Sequence, residues 1–108
     1  MRDRHEPARI GVIIYEGVEP IDVGGTAGVV SMAKRVVPGL SSVLIGEKAG
    51  PVKLAGDVTV LADADFTTAP DCDVLIVCGG PGWREQVRNP AMLDFLRAHE
   101  RRKLASVC

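Results

Sequence analysis

The chain has 108 residues, 46% of them hydrophobic, with 13 Lys and Arg set against 14 Asp and Glu for a formal net charge of −1. That size and mixture fit one small folded domain and exclude a disordered polyelectrolyte. Near-neutral charge gives no general attraction to nucleic acid or an acidic membrane, so the expected ligand is a small molecule.

In chain order, the opening "MRDRHEPA" is too charged for a signal peptide. No apolar run approaches the roughly 20 residues a membrane span needs, so a cytoplasmic location without a membrane partner is the expectation. "ARIGVIIY" is β-branched and almost continuously apolar, which marks a strand covered on both faces of a parallel sheet. In "EGVEPIDVGGTAGVVSMAKRVV", Glu19 can cap a first helix, Pro20 can take its first position and Val18 can staple against Val23. Ile21, Gly25, Gly28 with Val29, Met32 and Val36 then recur at helical spacing. Gly24, Gly25 and Gly28 each cost a helix interior about 1 kcal/mol relative to alanine. Either the sheet, a partner subunit or a ligand approaches that backbone closely, or the helix starts only at Thr26.

"SSVLIG" is the second strand, and "GPVKLAGDVTVLAD" a hairpin-like excursion with turns at Gly50-Pro51 and Gly56-Asp57. "DVLIVC" is the next strand. Asn89 as cap and Pro90 as first residue open a second helix, whose buried stripe is Met92, Leu93, Phe95, Leu96 and His99. Its basic end from Arg97 to Lys103 suits the helix dipole and reads as a solvated helix end. "KLASVC" is the last strand. Strands alternating with helices predict an α/β fold, a parallel sheet sandwiched by helices with a small hairpin.

Cys72, Cys78 and Cys108 form an odd set without paired metal-ligand spacing, so free thiols are expected rather than a disulfide framework or a structural metal. On one extended strand Cys72 and Cys78 would lie about 20 Å apart, beyond bridging range.

Ligands of an open parallel sheet bind beyond the carboxyl ends of its strands. Three predicted strands end there in "YEGVEPID", in "GGPGW" and in Cys108. One rim thus gathers a carboxylate-bearing turn, a glycine-rich turn and a thiol. Each has a plainer reading: Cys108 as a small buried hydrophobe, Asp22 as a first-turn aspartate, Glu16 and Glu19 as solvated side chains. "GGPG" lacks the spacing and the lysine of a phosphate loop, but its amides could face an oxyanion. Trp83 either walls a pocket or covers core. His5 and His99 stand away from the rim.

"IGVIIYEGVEPIDVGG", "DCDVLIVCGGPG" and "LASVC", in this order and spacing, resemble the N-terminal half of the DJ-1/PfpI superfamily of glutamine-amidotransferase-like proteins, closest to its isonitrile hydratase branch and to the sensing domains of AraC-type regulators. The resemblance implies a flavodoxin-like fold, of which residues 1–108 are the N-terminal part, ending at a nucleophile elbow. It carries the nucleophile onto Cys108, the partner acid onto Asp22, and the anion-stabilising glycine pair onto Gly79 and Gly80. Thr26 and Cys78 depart from it, standing where relatives often have a proline and a proline or small residue. For Cys78 a redox role is the sharper reading and buried packing the plainer one.

The implied activity is a lyase reaction, hydration of isonitriles to N-substituted formamides through a thioimidate, with neither metal nor organic cofactor. A homodimer is implied as well. The alternatives are a non-enzymatic ligand sensor, with nucleic acid as a partner only if a DNA-binding domain follows, or an amidase, protease or glyoxalase activity on the same nucleophile.

Overall fold

A computed structural model describes residues 7–99 and the backbone of 103–107. Four strands, β1 (Ala8–Ile13), β2 (Leu40–Ile45), β5 (Val74–Cys78) and β6 (Lys103–Val107), form a parallel sheet in the order β2-β1-β5-β6. Between β2 and β5, β3 (Gly50–Lys53) and β4 (Thr59–Ala62) make the expected antiparallel hairpin. Its turn is a short 3-10 segment with left-handed backbone at Gly56 and Asp57.

The central strand shows why the apolar runs were needed. β1 pairs with β2 from Ala8↔Leu40 to Ile13↔Ile45 and with β5 from Ile10↔Val74 to Ile13↔Val77. Flanked on both edges and covered on both faces, Val12 and Ile13 lose all contact with solvent, as do Ile14, Ile45 and Leu75.

The first helix, α1 (Pro20–Ala33), begins at Pro20 rather than at Thr26. Glu19 occupies the cap position, yet its side chain makes no capping bond. Val18 and Val23 both enter the core, as a staple requires. A four-residue helix, α2 (Trp83–Gln86), follows the glycine turn and was not expected from the sequence. α3 (Pro90–Ala98) is capped by Asn89, whose Oδ1 accepts from the Ala91 amide at 3.1 Å. Met92 and Phe95 are buried, and His99 packs on the Phe95 ring with Nδ1 2.7 Å from the Phe95 carbonyl oxygen.

The crossovers from β1 to β2 and from β5 to β6 run in opposite directions across the sheet. With the same right-handed sense, they put α1 and α3 on opposite faces. Of the alternatives offered for the α1 glycines, the sheet drops out: among the described residues nothing beyond the helix's own backbone lies within 4 Å of a Cβ placed at Gly24, Gly25 or Gly28. Ile21, Val29, Met32 and Val36 also face outward, Ile21 being 75% and Val36 81% exposed. The helix is held instead by Val23 and Val30. Beside it, Ile10 and Ile76 of the sheet and Ile21, Gly25 and Val29 of α1 line an apolar groove of about 590 Å³.

Candidate functional site

The chain leaves β1 toward one sheet edge and later returns to the other side of β1 as β5. The order reverses between these two strands, and the crevice at their carboxyl ends is where an open α/β sheet offers a ligand site. Two loops meet there: Tyr15 to Glu19 after β1, and Gly79 to Gly82 after β5.

They meet closely enough to explain the glycines. The Glu19 amide donates to the Gly79 carbonyl at 2.8 Å, and the Gly82 amide to the Gly17 carbonyl at 3.1 Å. Gly80 adopts φ +145°, and a Cβ there would strike the Glu19 amide nitrogen; one at Gly82 would strike the Glu16 carbonyl oxygen. "GGPG" is therefore a turn shaped for backbone contact with the first loop. The hairpin ties down the same loop from another side: the Gly17 amide donates to the Lys53 carbonyl, and the Ala55 amide to that of Val18, each at 3.0 Å.

On this scaffold the first turn of α1 presents Asp22. Its Oδ2 accepts from the Gly79 amide at 3.2 Å, across 57 residues of sequence. Two expected site residues thus come together, Asp22 and Gly79, in an arrangement the sequence did not suggest. The Gly79 N–H, a candidate oxyanion donor, holds the carboxylate. On the other edge of the same peptide, the Tyr15 hydroxyl donates to the Cys78 carbonyl at 2.7 Å. Tyr15 was not among the sequence candidates; its partner is a main-chain oxygen 63 residues away, and no local pattern signals it.

Asp22, Glu19, Ile21, Gly79, Gly80, Pro81 and Trp83 line an open cleft of about 580 Å³. Trp83 is 51% exposed and carries the Arg84 guanidinium 5.5 Å from its ring centroid. It lines this cleft and also, with Cys78, Met92 and Leu96, a smaller apolar hollow over the core, so it serves both roles. Glu16 is exposed as expected, whereas Glu19 is half-buried.

Cys78 and Cys72 are both buried, and no disulfide joins them. Desolvation, and secondarily the charge of Asp22, pushes the Cys78 thiol up to about 11. A thiol so protonated is a poor nucleophile, which favours packing over a redox role. Burial also raises the Tyr15 phenol, with Cys78 and then Asp22 adding to the effect. Cys108, the expected nucleophile, lies outside the described residues. Val107, the residue before it, pairs with Cys78 in the β5–β6 ladder.

A second cleft, of about 410 Å³, is lined by Glu16, Glu47, Lys48 and Lys53 among others, but by neither Asp22 nor the glycine turn. Among the described residues no group of three or more His, Cys, Asp or Glu side chains could hold a metal ion, and no helix is long and apolar enough to cross a membrane.

The sequence model described as the DJ-1/PfpI family matches residues 8–108. A Streptomyces lividans protein described as "uncharacterized protein in cpoL 5′ region" is 28% identical over 104 residues, covering 94% of this chain and 74% of that protein. A ThiJ/PfpI family protein from Pseudomonas syringae superposes with TM-score 0.83 at 22% identity, over 97% of this chain and 43% of its own. DJ-1beta of Drosophila melanogaster superposes with TM-score 0.80 at 24% identity, over 95% and 56%. At these identities the two structures establish the flavodoxin-like fold. The chain spans about half the length of each.

Proposed function

Since the chain belongs to the DJ-1/PfpI family, we propose that it forms the N-terminal part of a cysteine-dependent enzyme that hydrates isonitriles to N-substituted formamides. The observation that carries this reading is the contact between the Asp22 carboxylate and the Gly79 amide at the switch point of the sheet. The β5–β6 register supports it further, because β6 draws level with Cys78 one residue before Cys108. The proposed reaction requires the Cys108 thiol to act beside Gly79 and Asp22.

In the proposed reaction the Cys108 thiolate attacks the terminal isonitrile carbon, forming a C–S bond, and Asp22 delivers its proton to that carbon. The product is a thioimidate. Water adds to the same carbon as the C=N π bond breaks and one water proton passes to nitrogen; the C–S bond then breaks, sulfur leaves as thiolate, the remaining hydroxyl proton returns to Asp22, and the organic product is the formamide. The Gly80 amide is the proposed donor to negative charge in the addition steps, and Gly79 acts by holding the acid. Trp83 and Ile21 offer apolar surface to the substituent on nitrogen.

Turnover of a test isonitrile by the full-length protein is the direct assay. Cys108→Ala abolishes it, and Asp22→Asn lowers kcat by about 100-fold or more, the range of a general acid. A Cys108→Ala protein that still hydrates the isonitrile overturns the proposal. A wild-type protein that binds small ligands at the cleft without converting them points instead to a sensor domain.

A further inference from the structure

We infer that Tyr15 is a positioning residue for the rim: its phenol, acting through the peptide between Cys78 and Gly79, holds Asp22 in place. The inference rests on the proposed role of Asp22 as the acid, and it assigns to a residue of the β1 loop a part in setting that acid.

The Cys78 carbonyl and the Gly79 N–H belong to one peptide unit, and the chain has no cis peptide among its described residues. In a trans peptide these groups point from opposite edges of one plane. Tyr15 Oη donates to the carbonyl at 2.7 Å, and the N–H donates to Asp22 Oδ2 at 3.2 Å. The plane is thus gripped between a phenol and a carboxylate. A donor on the carbonyl draws electron density along the amide and makes its N–H a better donor, so the two bonds strengthen each other. The next peptide is fixed too, since the Gly79 carbonyl accepts from the Glu19 amide at 2.8 Å, just before the turn that carries Asp22.

Packing alone does not call for the hydroxyl. Tyr15 is 6% exposed within the apolar core cluster, where a phenylalanine ring would fill the same space. What phenylalanine could not do is hold the carbonyl. Without that bond the peptide is freer to rotate, and the carboxylate loses the orientation of its amide partner.

The test uses the full-length protein with ¹⁵N-labelled glycine, reading the Gly79 amide in wild type, Tyr15→Phe, Asp22→Asn and the double variant. The expected result is an upfield shift of the Gly79 amide proton in each single variant, and a double variant that moves no further than the larger single shift. An unmoved signal in Tyr15→Phe, or two shifts that simply add, overturns the inference. If Tyr15→Phe does not fold, hydrogen exchange of the Gly79 amide in wild type decides: slow exchange is expected, and exchange as fast as in an open turn contradicts it. In turnover, Tyr15→Phe lowers kcat about tenfold with KM unchanged, the order of one hydrogen bond of moderate strength. These outcomes separate from the parent reading, because a wild type without isonitrile turnover removes the proposed reaction while the amide cycle still reads the relay.

Discussion

At Gly82 a single added methyl group would strike the Glu16 carbonyl oxygen, whereas at Gly24 it would meet nothing within 4 Å. The two glycines therefore differ in kind although both stand in glycine-rich stretches. Gly82→Ala is expected to destabilise the protein by about 1–3 kcal/mol through overpacking of the rim loops. Gly24→Ala, in an open stretch of helix, is expected to stabilise it by up to about 1 kcal/mol. Thermal unfolding of the two variants checks the opposite signs, and a Gly82→Ala midpoint equal to wild type would contradict the locked-loop geometry. Cys78 gives a second test. Its folded-state pKa lies above the ordinary thiol value, so its contribution to stability is complete below about pH 9 and is lost as the pH rises toward 11. Urea unfolding at about pH 8 and about pH 10.5 should show wild type losing more stability across that interval than Cys78→Ala; equal losses would mean the thiol is not desolvated. Asp22 could be singled out from the sequence because it lies in the turn that ends a predicted strand and because the family resemblance sets the partner acid there, although its first-turn position alone has a plainer reading. Tyr15 could not, because its hydroxyl acts on main chain brought near only by strand pairing.

Among the elements, those whose sequence signal is local were legible. β1 and β5 are short β-branched runs at the centre of the sheet, and α3 announces itself through Asn89-Pro90 and the Met92–Phe95 stripe. α1 was legible in its start at Pro20 but not in its environment. An apolar row at 3.6-residue spacing looks the same whether it faces the protein's own core or another surface, and here Ile21, Val29 and Met32 face out. α2 escaped notice because four residues are too few for a period. The exposed α1 row supports a proposed homodimer of the full-length protein, since burying each such side chain contributes about 1.5–3 kcal/mol. Light scattering should give a dimer mass for wild type and a monomer mass for Val29→Arg. A Val29→Arg protein that stays dimeric assigns the row to some other cover.

For the molecule as a whole, the alternation of strand and helix foretold the fold class, but not how the rim is assembled. That depends on the β2-β1-β5-β6 order, which sets the β1 and β5 loops face to face, and on a hairpin that anchors the first of them through Lys53 and Ala55. Contacts spanning 57 and 63 residues leave no trace in local pattern, so the carboxylate, the peptide and the phenol appear as one unit only in three dimensions. The proposed chemistry then turns on one bond, between sulfur of Cys108 and the isonitrile carbon. Mass spectrometry of peptides from full-length protein quenched in acid during turnover reads that bond directly. The expected result is a Cys108 peptide heavier by the whole mass of the isonitrile, with Cys72 and Cys78 unmodified in their buried positions. An adduct on Cys78 or Cys72, or turnover with no adduct on Cys108, would contradict it.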